Sequence, residues 1–99
     1  MMDPTLLAHL REVERRLVGV VRQAAGLLPP DKLADIESYA VDHGEYGVAF
    51  EDLCTYVYDH EVTLPDAIAQ ELAELAAMMK MTLPPRIGNP GWVPPVRDN

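Results

Sequence analysis

The chain has few of the residues that would cross-link a small protein or anchor it in a membrane. Its single cysteine, Cys54, excludes a disulfide within the chain and favours a reducing environment. The longest nearly uncharged stretch, residues 17–30, is too short to span a bilayer, and the N-terminus lacks the pattern of a signal peptide. We therefore expect a cytoplasmic protein that does not enter membranes.

Basic residues are nearly missing from the middle of the chain. Residues 31–74 contain twelve acidic residues and one basic residue, Lys32, a net charge of −11, whereas the first thirty residues sum to +1 and the last twenty-five to +2. Concentrated negative charge repels nucleic acid and anionic membranes, and it accelerates encounter with basic proteins. The expected partner is a positively charged protein rather than nucleic acid or a membrane.

Residue patterns that carry catalysis are also missing. The three histidines are not spaced as zinc ligands, and no glycine-rich phosphate loop is present. Glu51 and Asp52 lie beside Cys54 and would disfavour a reactive thiolate there. Four arginines near the N-terminus are interleaved with glutamates, which is more typical of a solvated helix face than of a nucleic-acid site. We expect neither an enzyme nor a bound metal or cofactor.

Apolar residues that recur every three to four positions predict four helices and no sheet. Asp3 is the expected N-cap of the first helix, with Pro4 at its first position and Gly26 near its end. The residues expected to face the core of this helix are Leu6, Leu7, Leu10, Val13, Leu17, Val20, Val21 and Ala24.

The other three helices have shorter apolar stripes. The second is expected to be capped by Asp31 and to end at His43-Gly44, with Gly44 in a left-handed conformation. Its inward residues would be Leu33, Ile36, Tyr39 and Ala40. The third is expected from about Glu45 to His60, with Val48, Ala49, Leu53, Tyr56 and Val57 buried and Phe50, Cys54 and Tyr58 on its flanks. The fourth follows Thr63, which would form a cap with Asp66, and it would bury Ile68, Leu72, Leu75, Ala76 and Met79.

These helices and their short connections predict one domain, an all-α small antiparallel bundle over residues 1–81. Residues 82–99 are rich in proline and glycine and predict an extended tail. The only tryptophan, Trp92, lies in that tail. Either the tail wraps across the bundle with Trp92 docked in a groove, or it is a disordered end. Because an exposed tryptophan is costly, we favour partial docking of Trp92 on the bundle.

The third helix and its two ends combine carboxylates with tyrosines. Carboxylates steer a basic partner, and tyrosines supply rigid contact area of the kind found at interface hot spots. The alternative is that the tyrosines belong partly to the core and that the acids serve solubility. The predicted partner-binding residues are Asp42, Glu45, Tyr46, Glu51, Asp52, Tyr56, Asp59 and Glu61.

A glycine–glutamate turn at Gly44-Glu45 is followed by Ala49, Glu51 and the pair Leu53-Cys54. Leu28-Pro29-Pro30 precedes this motif, and the run from Leu72 to Ala76 follows it. With these features, about residues 25 to 80 resemble the MafI-type immunity proteins of bacterial polymorphic toxin systems. The first helix and the tail lie outside the resemblance.

The resemblance implies a small helical protein that binds and blocks the cognate toxin domain, commonly a nuclease. A nuclease surface is basic because it holds phosphates, which agrees with the acidic middle of the chain. The alternative function is an acidic protein–protein interaction or dimerisation module without a toxin partner. Such a homodimer would form through the apolar flank of the first helix.

Overall fold

Four helices and no strand make up the part of the chain that the computed structural model describes, residues 3–83. The helices are α1 (Pro4–Gln23), α2 (Pro30–Val41), α3 (Tyr46–Asp59) and α4 (Asp66–Met79). The predicted all-α antiparallel bundle is confirmed. The tail predicted from residue 82 lies outside the described residues from position 84 onward, and so does the expected docking of Trp92.

The helix starts agree with the sequence in one case and differ in two. Asp3 caps α1 as predicted, because its Oδ1 accepts a hydrogen bond from the Thr5 N–H at 2.8 Å. Asp31 does not cap α2, because it lies inside the helix. The first helical residue is Pro30, whose fixed φ and missing N–H suit that position. Asp66 is the first residue of α4 and makes no side-chain cap with Thr63.

A residue with positive φ follows the end of each of the four helices: Gly26, Gly44, Glu61 and Lys80. Gly44 has φ +63°, as predicted, and the Glu45 N–H then donates to the Tyr39 carbonyl at 2.8 Å. At the end of α4, Lys80 has φ +56° and the Met81 N–H donates to the Ala76 carbonyl at 2.8 Å. These bonds satisfy carbonyls that the last helical turns would leave unpaired.

The core forms around α1, which contacts each of the other three helices, while α2 and α3 also pack on each other. Each fully buried Leu, Ile or Phe side chain stabilises the bundle by about 1.5–3 kcal/mol. No polar or charged residue among the described residues is buried. The largest fully buried side chains are Phe50, Leu17, Ile36, Leu53, Leu72 and Leu75.

The structure differs from the sequence prediction in which side chains are buried and which are exposed. Phe50 is buried rather than flanking, and Val48 is 45% exposed rather than inward. The reason is that α3 is rotated so that its largest apolar side chain, Phe50, reaches the core. Tyr39 is likewise 37% exposed, since Leu33, Ile36 and Ala40 already supply the buried face of α2. Leu6 and Leu7 are also exposed, because the first turns of α1 extend beyond the core.

Within residues 3–83, no helix combines the length and the apolar character that crossing a membrane would require.

Candidate functional site

The eight predicted partner-binding residues are distributed along the whole of α3. Asp42 and Glu45 are exposed in the turn before the helix, and Asp59 and Glu61 are exposed at its other end. Those ends are separated by about 20 Å along the helix axis. Glu51, Asp52, Tyr46 and Tyr56 lie on the helix between them. The set therefore spans α3 without forming a single patch.

Asp52 is paired within the chain. Its Oδ1 accepts a hydrogen bond from Lys32 Nζ at 2.6 Å, and both side chains are about one quarter exposed. This hydrogen bond raises the pKa of Lys32, although partial burial opposes the rise. The charge of Asp52 is therefore largely compensated by the only basic residue of the acidic segment.

The two predicted tyrosine anchors point toward different neighbours. Tyr56 stacks on His60, with ring centroids 4.0 Å apart, and lies beside α2, where Lys32 Nζ is 5.9 Å from its ring centroid. Tyr46 lies beside α1, and its hydroxyl donates to Glu14 Oε1 at 3.2 Å. Burial and then this hydrogen bond raise the pKa of Tyr46. Both rings are half-buried, so each is partly used inside the bundle.

An open groove between α2 and α3 brings Glu51 and Asp52 together with residues that the sequence prediction missed. Its volume is about 400 Å³. Exposed Tyr39 and Val48 give it an apolar centre, and Asp35 adds a third carboxylate. We name this the α2–α3 face, and its lining residues are Lys32, Asp35, Tyr39, Val48, Glu51, Asp52 and Thr55.

A helical spacing in the sequence could have identified part of the α2–α3 face. Asp35 and Tyr39 are four residues apart and so lie on one side of α2. Val48, Glu51 and Thr55 follow the same three-to-four spacing on α3. The sequence does not show which side of each helix faces solvent. In the structure Phe50 is buried, so the side of α3 that carries Val48 is exposed.

Most carboxylates of the acidic segment have no ion-pair partner among the described residues. Four of the twelve in residues 31–74 are paired: Glu37, Asp52, Glu71 and Glu74. The eight others, all exposed, are Asp31, Asp35, Asp42, Glu45, Glu51, Asp59, Glu61 and Asp66. Exposed like charges repel one another, so this surface carries a negative potential that the described residues do not compensate.

Three of the four arginines of α1 form ion pairs with glutamates of the described chain. Arg16 bridges to Glu71 and Glu74 of α4, and its Nη1 also lies 3.1 Å from the Met78 Sδ. Arg15 pairs with Glu12 on the same helix. Arg22 Nε lies 3.4 Å from an oxygen of Glu37 on α2. Arg15 and Arg22 remain largely exposed in these pairs, whereas Arg16 is mostly buried between α1 and α4.

Cys54 is buried on α3 beneath the acidic surface. Burial raises the pKa of its thiol to about 12, and the charge of Glu51 contributes to the rise. A thiol with that pKa is protonated at neutral pH and unreactive, so Cys54 belongs to the core. No group of three or more metal-ligating side chains occurs within residues 3–83.

A second, larger groove lies where the start of α1, the start of α3 and the end of α4 meet. Its volume is about 610 Å³. We name it the apolar groove; Gly44, Glu45 and Gly47 form one wall, and its apolar lining includes Leu6, Leu10, Tyr46, Met78, Met79 and Met81. Three methionines give it a deformable surface that adapts to the shape of an occupant.

Comparisons of the chain with protein-family models, with curated proteins and with solved structures found no match.

Proposed function

We propose that the protein is a stoichiometric inhibitor that binds and neutralises a cognate toxin domain, as an immunity protein does. The observation that carries the proposal is the α2–α3 face, an apolar centre of Tyr39 and Val48 bordered by the exposed carboxylates of Asp35 and Glu51. Aromatic and apolar contacts at the centre with charges at the rim are the arrangement found in specific protein interfaces.

The charge of the surface indicates a basic partner. Eight exposed carboxylates in residues 31–74 have no cationic partner among the described residues. A nuclease domain presents lysines and arginines around the site that holds phosphate groups. The resemblance of the segment around Gly44-Glu45 to MafI-type immunity proteins supports a toxin of this kind. The mechanism we propose is occlusion, with acids of the α2–α3 face in the place of substrate phosphates.

The structure refines the choice of residues for a test. Asp52 is a poor choice because its replacement would also leave Lys32 without its partner. Asp35 and Glu51 are exposed and have no ion-pair partner among the described residues. The variant Asp35→Lys with Glu51→Lys should therefore change the surface and leave the bundle intact.

The experiment is co-expression with candidate toxin domains, beginning with any that neighbouring genes encode, with growth and one-to-one co-purification scored together. The double variant should lose protection, and in vitro its association with the toxin should be about tenfold slower or more. The control Asp59→Lys with Glu61→Lys changes the net charge by the same four units at the C-terminal end of α3, outside the α2–α3 face, where both acids are exposed and have no ion-pair partner among the described residues. Equal protection by the two variants would refute the α2–α3 face as the binding surface.

A second candidate function is a self-associating interaction module without a toxin partner. The exposure of Leu6 and Leu7 near the start of α1, 49% and 38%, favours it. Sedimentation of the pure protein over a wide concentration range distinguishes the two functions. A dimer that Leu7→Glu dissociates would support the module, whereas a monomer at all concentrations would exclude it.

A further inference from the structure

The apolar groove lies close to both ends of the described chain, because Leu6 and Met81 are among its lining residues. It is formed by three helices and has a volume of about 610 Å³. Leu6 is 49% exposed on one side of it, and three methionines line the other. Contiguous exposed apolar surface of this kind commonly marks a site of interaction.

The backbone after α4 leads directly into this groove. Left-handed Lys80 reverses the chain direction, and the Met81 N–H is held by the Ala76 carbonyl at 2.8 Å. The Met81 side chain lines the groove, with its sulfur 3.7 Å from the position of a Cβ on Gly47. Leu83, the last described residue, is half-buried against the core. The described chain therefore lines the groove at Met81 and ends two residues later.

The residues that follow have the composition to fill an apolar site. Residues 84–99 contain Ile87, Trp92 and Val93, and they are less acidic than the bundle, with two arginines and one aspartate. Trp92 is nine residues beyond Leu83, a distance of at most about 30 Å in a fully extended chain. A segment tethered this closely has an effective concentration in the millimolar range at the groove, which a separate copy or partner rarely reaches.

We propose that the segment of residues 84–99 docks in the apolar groove, with the Trp92 ring seated among Leu6, Met78, Met79 and Met81. Trp92 has the largest side chain in the segment, and its burial supplies most of the driving force. The methionine side chains adapt to the indole and provide sulfur–aromatic contacts. The proposal is independent of the toxin-binding function, because the groove and the α2–α3 face share only Val48.

Trp92 is the only tryptophan, so its fluorescence in the full chain reports on the proposed docking. We expect a blue-shifted emission and weak quenching by iodide, both independent of protein concentration. Leu6→Asp places a charge in the groove while remaining compatible with the first turns of α1. This variant should lower the ratio of docked to undocked Trp92 at least about tenfold. Leu27→Asp, at an exposed leucine outside the groove, is the control and should leave the emission unchanged.

Methionine methyl resonances provide a second measurement that does not alter the groove. In the Trp92→Ala variant the loss of ring-current shifts should move the methyl signals of Met78, Met79 and Met81. A Trp92 as accessible to iodide as in urea would overturn the proposal, as would equal effects of Leu6→Asp and Leu27→Asp. Protection of Trp92 from iodide that is lost when the protein is diluted would also overturn the proposal, because the groove would then be filled by a second copy of the chain.

Discussion

The orientation of α3 in the bundle leads to a sharp prediction about two neighbouring residues. Phe50 is fully buried and Val48 is 45% exposed, the reverse of the assignment expected from the sequence. Phe50→Ala should lower the free energy of unfolding by about 3–5 kcal/mol, since it removes a large buried side chain and leaves a cavity.

Val48→Ala should have almost no effect, because two small contributions oppose each other. Removing two half-buried methyl groups costs about 0.8 kcal/mol at roughly 0.8 kcal/mol for each fully buried carbon. Alanine returns about 0.5 kcal/mol through its higher helix propensity. The net change should lie within about 0.5 kcal/mol of zero.

Urea unfolding followed by far-ultraviolet circular dichroism measures both changes. A chain of this size has a total stability of about 5–10 kcal/mol, so Phe50→Ala removes a large part of it. Phe50→Leu, which keeps more of the volume, provides an intermediate point if the alanine variant unfolds. Equal losses at positions 48 and 50, or a larger loss at 48, would refute the orientation of α3 described here.

Three further predictions concern the turn, the thiol and the ion pair. Gly44→Ala should lower the free energy of unfolding by about 1–2 kcal/mol, because residue 44 has φ +63°. Gly19→Ala should raise it by up to about 1 kcal/mol, because a new Cβ at this helical position meets nothing within 4 Å. Thermal unfolding of both variants measures these changes. The pKa of the Cys54 thiol is raised to about 12 in the folded chain, so the unfolded chain loses the thiol proton at a lower pH. The contribution of this thiol to the free energy of unfolding should therefore fall by about 2 kcal/mol between pH 8.5 and 10. Cys54→Val should remove that part of the decline in urea midpoints. Asp52→Asn should lower stability by about 1 kcal/mol by leaving Lys32 unpaired, and low-salt and high-salt urea titrations should differ less in the variant than in the natural chain.

The number of helices and most of their boundaries follow from local chemistry, which the sequence contains. The Asp3 cap, the left-handed Gly44 and the three-to-four periodicity act within a few residues of one another. The rotation of α3 does not follow in this way, because apolar residues occupy most of its circumference, among them Val48, Phe50 and Tyr56. The packing of α1 and α2 against α3 determines which of its sides is buried.

The candidate site was predictable in its charge but not in its geometry. The excess of acid in residues 31–74 is visible in the sequence, as is the presence of one lysine among the acids. The pairing of Lys32 with Asp52, twenty residues away, arises only from the packing of α2 on α3. The same packing separates Tyr46 from Tyr56 and brings Tyr39 next to Glu51.

The contacts of α1 have a consequence for the order in which the protein assembles during synthesis. The pairing of α2 with α3 is local, so these helices can join as soon as residues through Asp59 have left the ribosome. α1 is made first, yet its contact with α4 must wait until residues through Met79 have left the ribosome. During that interval the side of α1 that α4 will cover is open to chaperones, and closure by α4 is the step that completes the bundle.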